Sequence, residues 1–186
     1  SSAVAFIKTW WLADVAGTLP KSFNQDEFDV RVIIPKYRAI PEQYRDQMKY
    51  RTHFYMDFAG ENRYVGIMEL EWGGIQFYFI DNEYYFKRGA MYGDFDDGER
   101  FAFFSGAVVE FMLNCNYIPD ILHANDWQSA LSVIYLKTKY SSNSLLSGIK
   151  TVFTIHNIEY QGKYGLDILG DVFGLDFSYR DIVEFD

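Results

Sequence analysis

The chain has 186 residues, 49% of them hydrophobic, and a formal net charge of −9: enough for about one domain with its own core, and too acidic for an unaided phosphate-backbone binder, which needs clustered Lys and Arg. Cys115 is the single cysteine, which excludes an intrachain disulfide or a Cys-based zinc cluster, points to the reducing cytoplasm, and makes the thiol an expected small core residue. No apolar run approaches the roughly 20 residues that cross a bilayer, and the first residues lack the basic and apolar regions of a signal peptide, so a soluble, unsecreted chain without membrane or nucleic-acid partner is expected.

With 15 Tyr, 17 Phe and 4 Trp the composition is unusually aromatic. Rings of this kind fill cores, and those with a polar edge also suit the amphipathic faces of sugars. Two indoles, Trp10 and Trp11, stand side by side ahead of a segment, Leu12 to Phe23, that reads as a helix. Val30 to Pro35 reads as a short buried strand closed by proline. Between Arg51 and Phe86 the β-prone residues surround Gly73-Gly74, which predicts a hairpin of Tyr64–Trp72 and Ile75–Ile80. Glu99 to Asn114 places Phe101, Phe104, Val108, Phe111 and Met112 at helical spacing, so this helix is expected to bury one face.

Ile118 to His123 reads as a strand, 125–127 as the turn, and Trp127 to Lys137 as the helix that follows. Ser141 to Ser147 is a polar loop, and Lys150 to Ile155 is a β-branched strand that ends at His156-Asn157. Strands alternating with helices imply an α/β fold with a doubly wound, mostly parallel sheet, the hairpin near 64–80 being an antiparallel insertion. No linker divides the chain, so residues 1–186 are expected to form a single domain.

Open parallel sheets bind ligands beyond the carboxyl ends of their strands. Two polar loops stand there: His123-Ala124-Asn125-Asp126-Trp127-Gln128, and His156 through Gly162. A histidine after a strand is by itself more often a structural residue than a functional one; two such loops, both polar and both at predicted strand ends, bring the two readings level. Asp94, Asp96, Asp97 and Glu99 lack the spacing of a calcium loop and read as a solvated acidic turn.

The segments LHANDWQSALSVIYLK (122–137) and TIHNIEYQGKYG (154–165) closely resemble signature segments of bacterial glycogen synthases and plant starch synthases. GERFAFFSGAVVE (98–110), VRVIIPKY (30–37) and FIKTWWLADVAGTLPKSF (6–23) resemble that family's neighbouring segments in the same order. The resemblance implies a retaining GT-B glucosyltransferase with two Rossmann-like domains, this chain being the N-terminal one. It implies transfer of glucose from a nucleotide sugar, usually ADP-glucose, to the end of an α-1,4-glucan in the cytoplasm or a plastid stroma, with no metal or other cofactor. It assigns His156 and Asp126 to catalysis beside the transferred sugar. Lys8 and Asp14 match residues near the donor phosphates and at the start of the following helix, and Tyr92 matches a cleft tyrosine. Trp127 pairs with Asp126 beside the sugar, and Asn157 and Gln161 shape the loop.

The chain departs from the family's pattern in three places. Trp10-Trp11 replace a Gly-Gly pair whose bare backbone lets N–H groups approach the donor phosphate; two indoles are expected to fill that space, with about 1–2 kcal/mol of strain for a side chain at positive φ. The apolar first strand is replaced by Ser1-Ser2-Ala3, and the second domain that grips the donor does not follow within 186 residues. These departures lead to the expectation of an engineered fragment inactive in isolation, with natural drift as the alternative. Two further readings stay open: a scaffold that self-associates into a homo-oligomer through Trp10-Trp11 with no catalysis, and residual glucan binding through Tyr92, Trp127 and Tyr160.

Overall fold

A computed structural model describes residues 18–183; Lys8, Trp10, Trp11, Asp14 and the first half of the helix expected over Leu12–Phe23 lie outside them. The described end of that segment is a short 3₁₀ turn, Leu19–Ser22, with Pro20 buried. The described residues fall into two compact units. One holds residues up to Phe54 together with Tyr64–Gly93, the other Tyr55–Arg63 together with the chain from Asp94 onward.

The first unit is organised by a four-stranded sheet. Its strands are β1 (Arg31–Pro35), β2 (Lys49–Phe58), β3 (Glu61–Trp72) and β4 (Ile75–Asp81), in the spatial order β1-β4-β3-β2. The tip of the β2–β3 hairpin belongs to the second unit. Gly73 and Gly74 join β3 to β4 at φ of +60° and +79°, the left-handed pair that a two-residue hairpin turn demands and that glycine adopts without strain. Antiparallel pairing then runs from Trp72↔Ile75 to Gly66↔Asp81. The hairpin is more than an attachment to a parallel sheet, because β4 is also the parallel partner of β1, with Ile33 opposite Tyr78. On one face Ile40, Tyr44, Met48, Leu70, Ile75, Phe77 and Phe79 form a core cluster. Tyr44 comes from the short helix α1 (Glu42–Arg45) and meets Trp72 edge-on at 5.0 Å. A second short helix, α2 (Glu83–Phe86), is capped by Asn82, whose Oδ1 accepts the Tyr85 N–H at 3.2 Å.

In the second unit the 18-residue helix α3 (Asp97–Asn114) is buried almost all round, where the spacing of its large residues predicts burial of one face. The reason lies between those residues: Ala102, Ser105, Gly106 and Ala107 are too small to hold neighbours off, and all are buried. A Cβ on Gly106 would stand only 3.3 Å from the Met56 sulfur. Phe103 receives Phe58 edge-on at 5.6 Å. Arg100 is fully buried and donates to Asp97 at 2.6 Å and Asp94 at 3.2 Å, so the acidic turn expected in solvent is partly internal and neutralised by its own helix. Cys115 is half-buried instead of core, since it sits at the C-cap where the helix emerges and its N–H closes the last turn onto Phe111.

Helix α4 (Trp127–Lys137) packs against α3. It follows β5 (Ile121–Asn125), which pairs in parallel with β6 (Lys150–Thr154), Asn125 lying opposite Thr154. The strand begins at Ile121, after Pro119, which has no N–H for a ladder. Two short helices, α5 (Ile168–Asp171) and α6 (Arg180–Val183), follow. No helix among the described residues is long and apolar enough to cross a membrane.

Candidate functional site

The carboxyl ends of β5 and β6 lie side by side, and both polar loops start there. The parallel register fixes this, because pairing Asn125 with Thr154 delivers Asp126 and His156 to the same edge. The side chains then cross between the strands. His123 Nε2 and Thr154 Oγ1 share a hydrogen bond of 2.7 Å, and His156 Nε2 donates to Asn125 Oδ1 at 2.9 Å.

Asp126 is the hinge of the arrangement. Its φ of 57° and ψ of 174° fall in a region that is nearly glycine-only, at a cost of about 1–3 kcal/mol, and strain of that kind concentrates at functional sites. An aspartate directly before a helix ordinarily caps its own first turn. Here it makes no such bond. Its buried carboxylate turns to the other loop, where Oδ1 accepts the N–H of His156 at 2.7 Å and of Asn157 at 3.3 Å, while the Asp126 N–H donates to the Thr154 carbonyl at 2.9 Å. Ser129 supports the start of α4 in its place: its Oγ accepts the Asn125 N–H and donates to the Asn125 carbonyl, each at 2.7 Å.

The second loop is shaped by its own side chains. Asn157 Oδ1 accepts the Glu159 N–H at 3.1 Å, and Gln161 Nε2 donates to the Ile158 carbonyl at 2.6 Å. Trp127, the first residue of α4, meets Phe101 edge-on at 5.1 Å and Tyr164 at 6.1 Å. Burial, followed by the charge of nearby His156, holds His123 below the ordinary histidine range. The Tyr164 hydroxyl is pushed up to about 12, first by burial and then by the carboxylates of Asp97 and Asp96.

The structure thus brings together His123, Asn125, Asp126, Trp127, His156, Asn157 and Gln161 in one unit. Tyr92 belongs to the other unit and is half-buried. Thr154, Ser129, Gly162 and Tyr164 are participants that reading the sequence did not single out. All four stand inside the quoted segments, Ser129 in LHANDWQSALSVIYLK and Thr154, Gly162 and Tyr164 in TIHNIEYQGKYG, but nothing local marks them out from their neighbours. Among the described residues, Asp94, Asp96 and Asp97 have carboxylates close enough to share a metal ion, but Arg100 already binds two of the three.

The family model described as "Starch synthase catalytic domain" matches residues 1–186. A glycogen synthase of Lachnospira eligens is 51% identical over 180 residues, covering 96% of this chain and 38% of that protein. One from Clostridium novyi is 44% identical over 194 residues, covering 100% and 40%. Among solved structures, the catalytic domain of starch synthase IV from Arabidopsis thaliana, bound to ADP and acarbose, superposes with a TM-score of 0.81 at 31% identity, over 91% of this chain and 35% of that one. The chain therefore spans about two-fifths of the length of the curated relatives it matches.

Proposed function

Because the chain belongs to the starch synthase catalytic domain family, we propose that it is the N-terminal part of a retaining glucosyltransferase that lengthens α-1,4-glucan from ADP-glucose. The observation that carries the site assignment is the strained Asp126, whose carboxylate binds the two backbone N–H groups that start the His156 loop. A charged acceptor on two amides fixes a loop more firmly than neutral bonds do, at about 1.5–3 kcal/mol per bond. His156 is then the residue that faces the transferred glucose, Asp126 holds it there, and Asn157 and Gln161 keep the turn in shape. Lys8 and Asp14 would meet the donor and Tyr92 the cleft, roles supported by the resemblance of the segments that carry them. Such a site works by orienting a compact sugar and stabilising charge as the glycosidic bond to the nucleotide breaks.

The chain alone is proposed to be inactive, since it spans about two-fifths of its relatives. Transfer of labelled glucose from ADP-glucose to glycogen, with retardation of the chain in a glycogen-containing gel, tests both parts. No transfer but a retarded band is expected. Turnover by the isolated chain would overturn its inactivity, and unchanged mobility would count against a glucan-facing site.

A further inference from the structure

We propose that Trp127 is a positioning residue: its indole is the seat on which Gly162 fixes the far end of the His156 loop. The backbone of Gly162 lies on the indole so closely that a Cβ built there would overlap the Trp127 ring atoms, and its φ is +59°. Side chains are thus excluded twice at this position, by a rigid ring and by the backbone angle. The indole is itself immobilised by Phe101 of α3, edge-on at 5.1 Å, and by Tyr164 at 6.1 Å. Tyr164 carries the hold further, because its ring packs directly against Gly98 at the start of α3. A Cβ on Gly98 would fall 3.0 Å from the Tyr164 ring and 2.7 Å from Ile168 Cδ1.

Two consecutive residues, Asp126 and Trp127, thus secure the loop at two points. Asp126 binds its first amides by charge, and Trp127 receives Gly162 by close packing. The loop is set by α3 and α4 as well as by β6. A tryptophan serving as a sugar platform would keep a ring face clear, whereas here the protein's own backbone covers part of this one. The inference rests on the reading of the His156 loop as the sugar-facing segment, but its test needs no sugar.

Amide hydrogen exchange in the full 186-residue chain reads it directly. Gly162→Ala and Trp127→Ala are expected to speed exchange at His156, Asn157, Glu159 and Tyr160 at least tenfold. Trp127→Phe, which keeps a ring, is expected to stay within about threefold of wild type, and amides of Phe101–Met112 in α3 within about twofold in all three variants. Unchanged loop exchange in both alanine variants would overturn the proposal. So would a rise in α3 as large as in the loop, which would make Trp127 a general core residue. A maltoheptaose titration of the wild-type chain separates the two readings: a protected loop that does not respond to the sugar sinks the glucan-facing assignment and leaves the positioning role standing.

Discussion

Strands β4 and β6 are both paired in parallel, yet they are used in opposite ways. β4 lies between β1 and β3, and Phe77, Tyr78, Phe79 and Ile80 along it are all buried. β6 pairs with β5 alone among the described residues, and Val152 and Phe153 are each 44% exposed. Parallel strands are normally covered on both faces, so β4 obeys the rule and the β5–β6 pair does not. β4 contributes through its side chains to a core, while β5 and β6 contribute through their carboxyl ends, where Asn125, Asp126, Thr154 and His156 are tied together.

The comparison breaks most sharply at phenylalanine. Phe79→Ala should cost about 3–5 kcal/mol, as truncation of a fully buried ring does, whereas Phe153→Ala should cost no more than about 1 kcal/mol because its ring is half in water already. Urea unfolding followed by circular dichroism measures both, and equal costs would refute the contrast. Arg100→Ala should also cost about 3–5 kcal/mol, since it leaves the buried Asp97 carboxylate without its cation. Arg51→Ala, which breaks the more exposed Arg51–Glu69 pair, should cost no more than about 1 kcal/mol by the same measurement.

Glycines beside the two strands sharpen it further. Gly74→Ala at the turn into β4 should cost about 1–2 kcal/mol through its positive φ alone, as nothing crowds the added methyl. Gly148, just before β6, has open space and no positive φ, so Gly148→Ala should fall within about 0.5 kcal/mol of zero. The smallest expected effect is a pH dependence at β5. The folded state holds His123 below its unfolded value near 6.5, so the unfolded chain takes up the proton first as pH falls. Its stabilising contribution is complete above about pH 6.5 and is lost as the pH drops through the folded value. His123→Gln should therefore flatten the stability profile between pH 7 and 5, and an unchanged slope would show that the histidine does not contribute.

Much of this was legible in the sequence. Trp127–Lys137 reads as a helix to the residue because apolar spacing runs unbroken from a polar turn, and Gly73-Gly74 places the β3–β4 hairpin correctly. β2 merges in the sequence with one broad β-prone region, since its outward residues, Arg51, His53 and Asp57, give no sign of where it starts. Arg100 reads as surface because arginine usually is, and only the fold shows Asp94 and Asp97 closing around it. At the site, both loops and their strand ends were visible. The direction of the Asp126 carboxylate was not: an aspartate before a helix reads as that helix's own cap, and only a backbone at φ 57° turns it toward His156. The close seat of Gly162 on Trp127 depends on packing between residues 35 positions apart, which no local pattern records.

Amide and histidine-ring nuclear magnetic resonance of the isotopically labelled chain, titrated with maltoheptaose and with ADP-glucose, bears most directly on the site. The expected result is that the His156 and Asn157 signals move on saturation, that Asp126→Ala abolishes the movement, and that Phe77 and Phe79 in the core stay unshifted in both proteins. If saturating sugar left His156 and Asn157 in place, or if Asp126→Ala responded like the wild type, the clamp at the ends of β5 and β6 would not be a sugar-facing site.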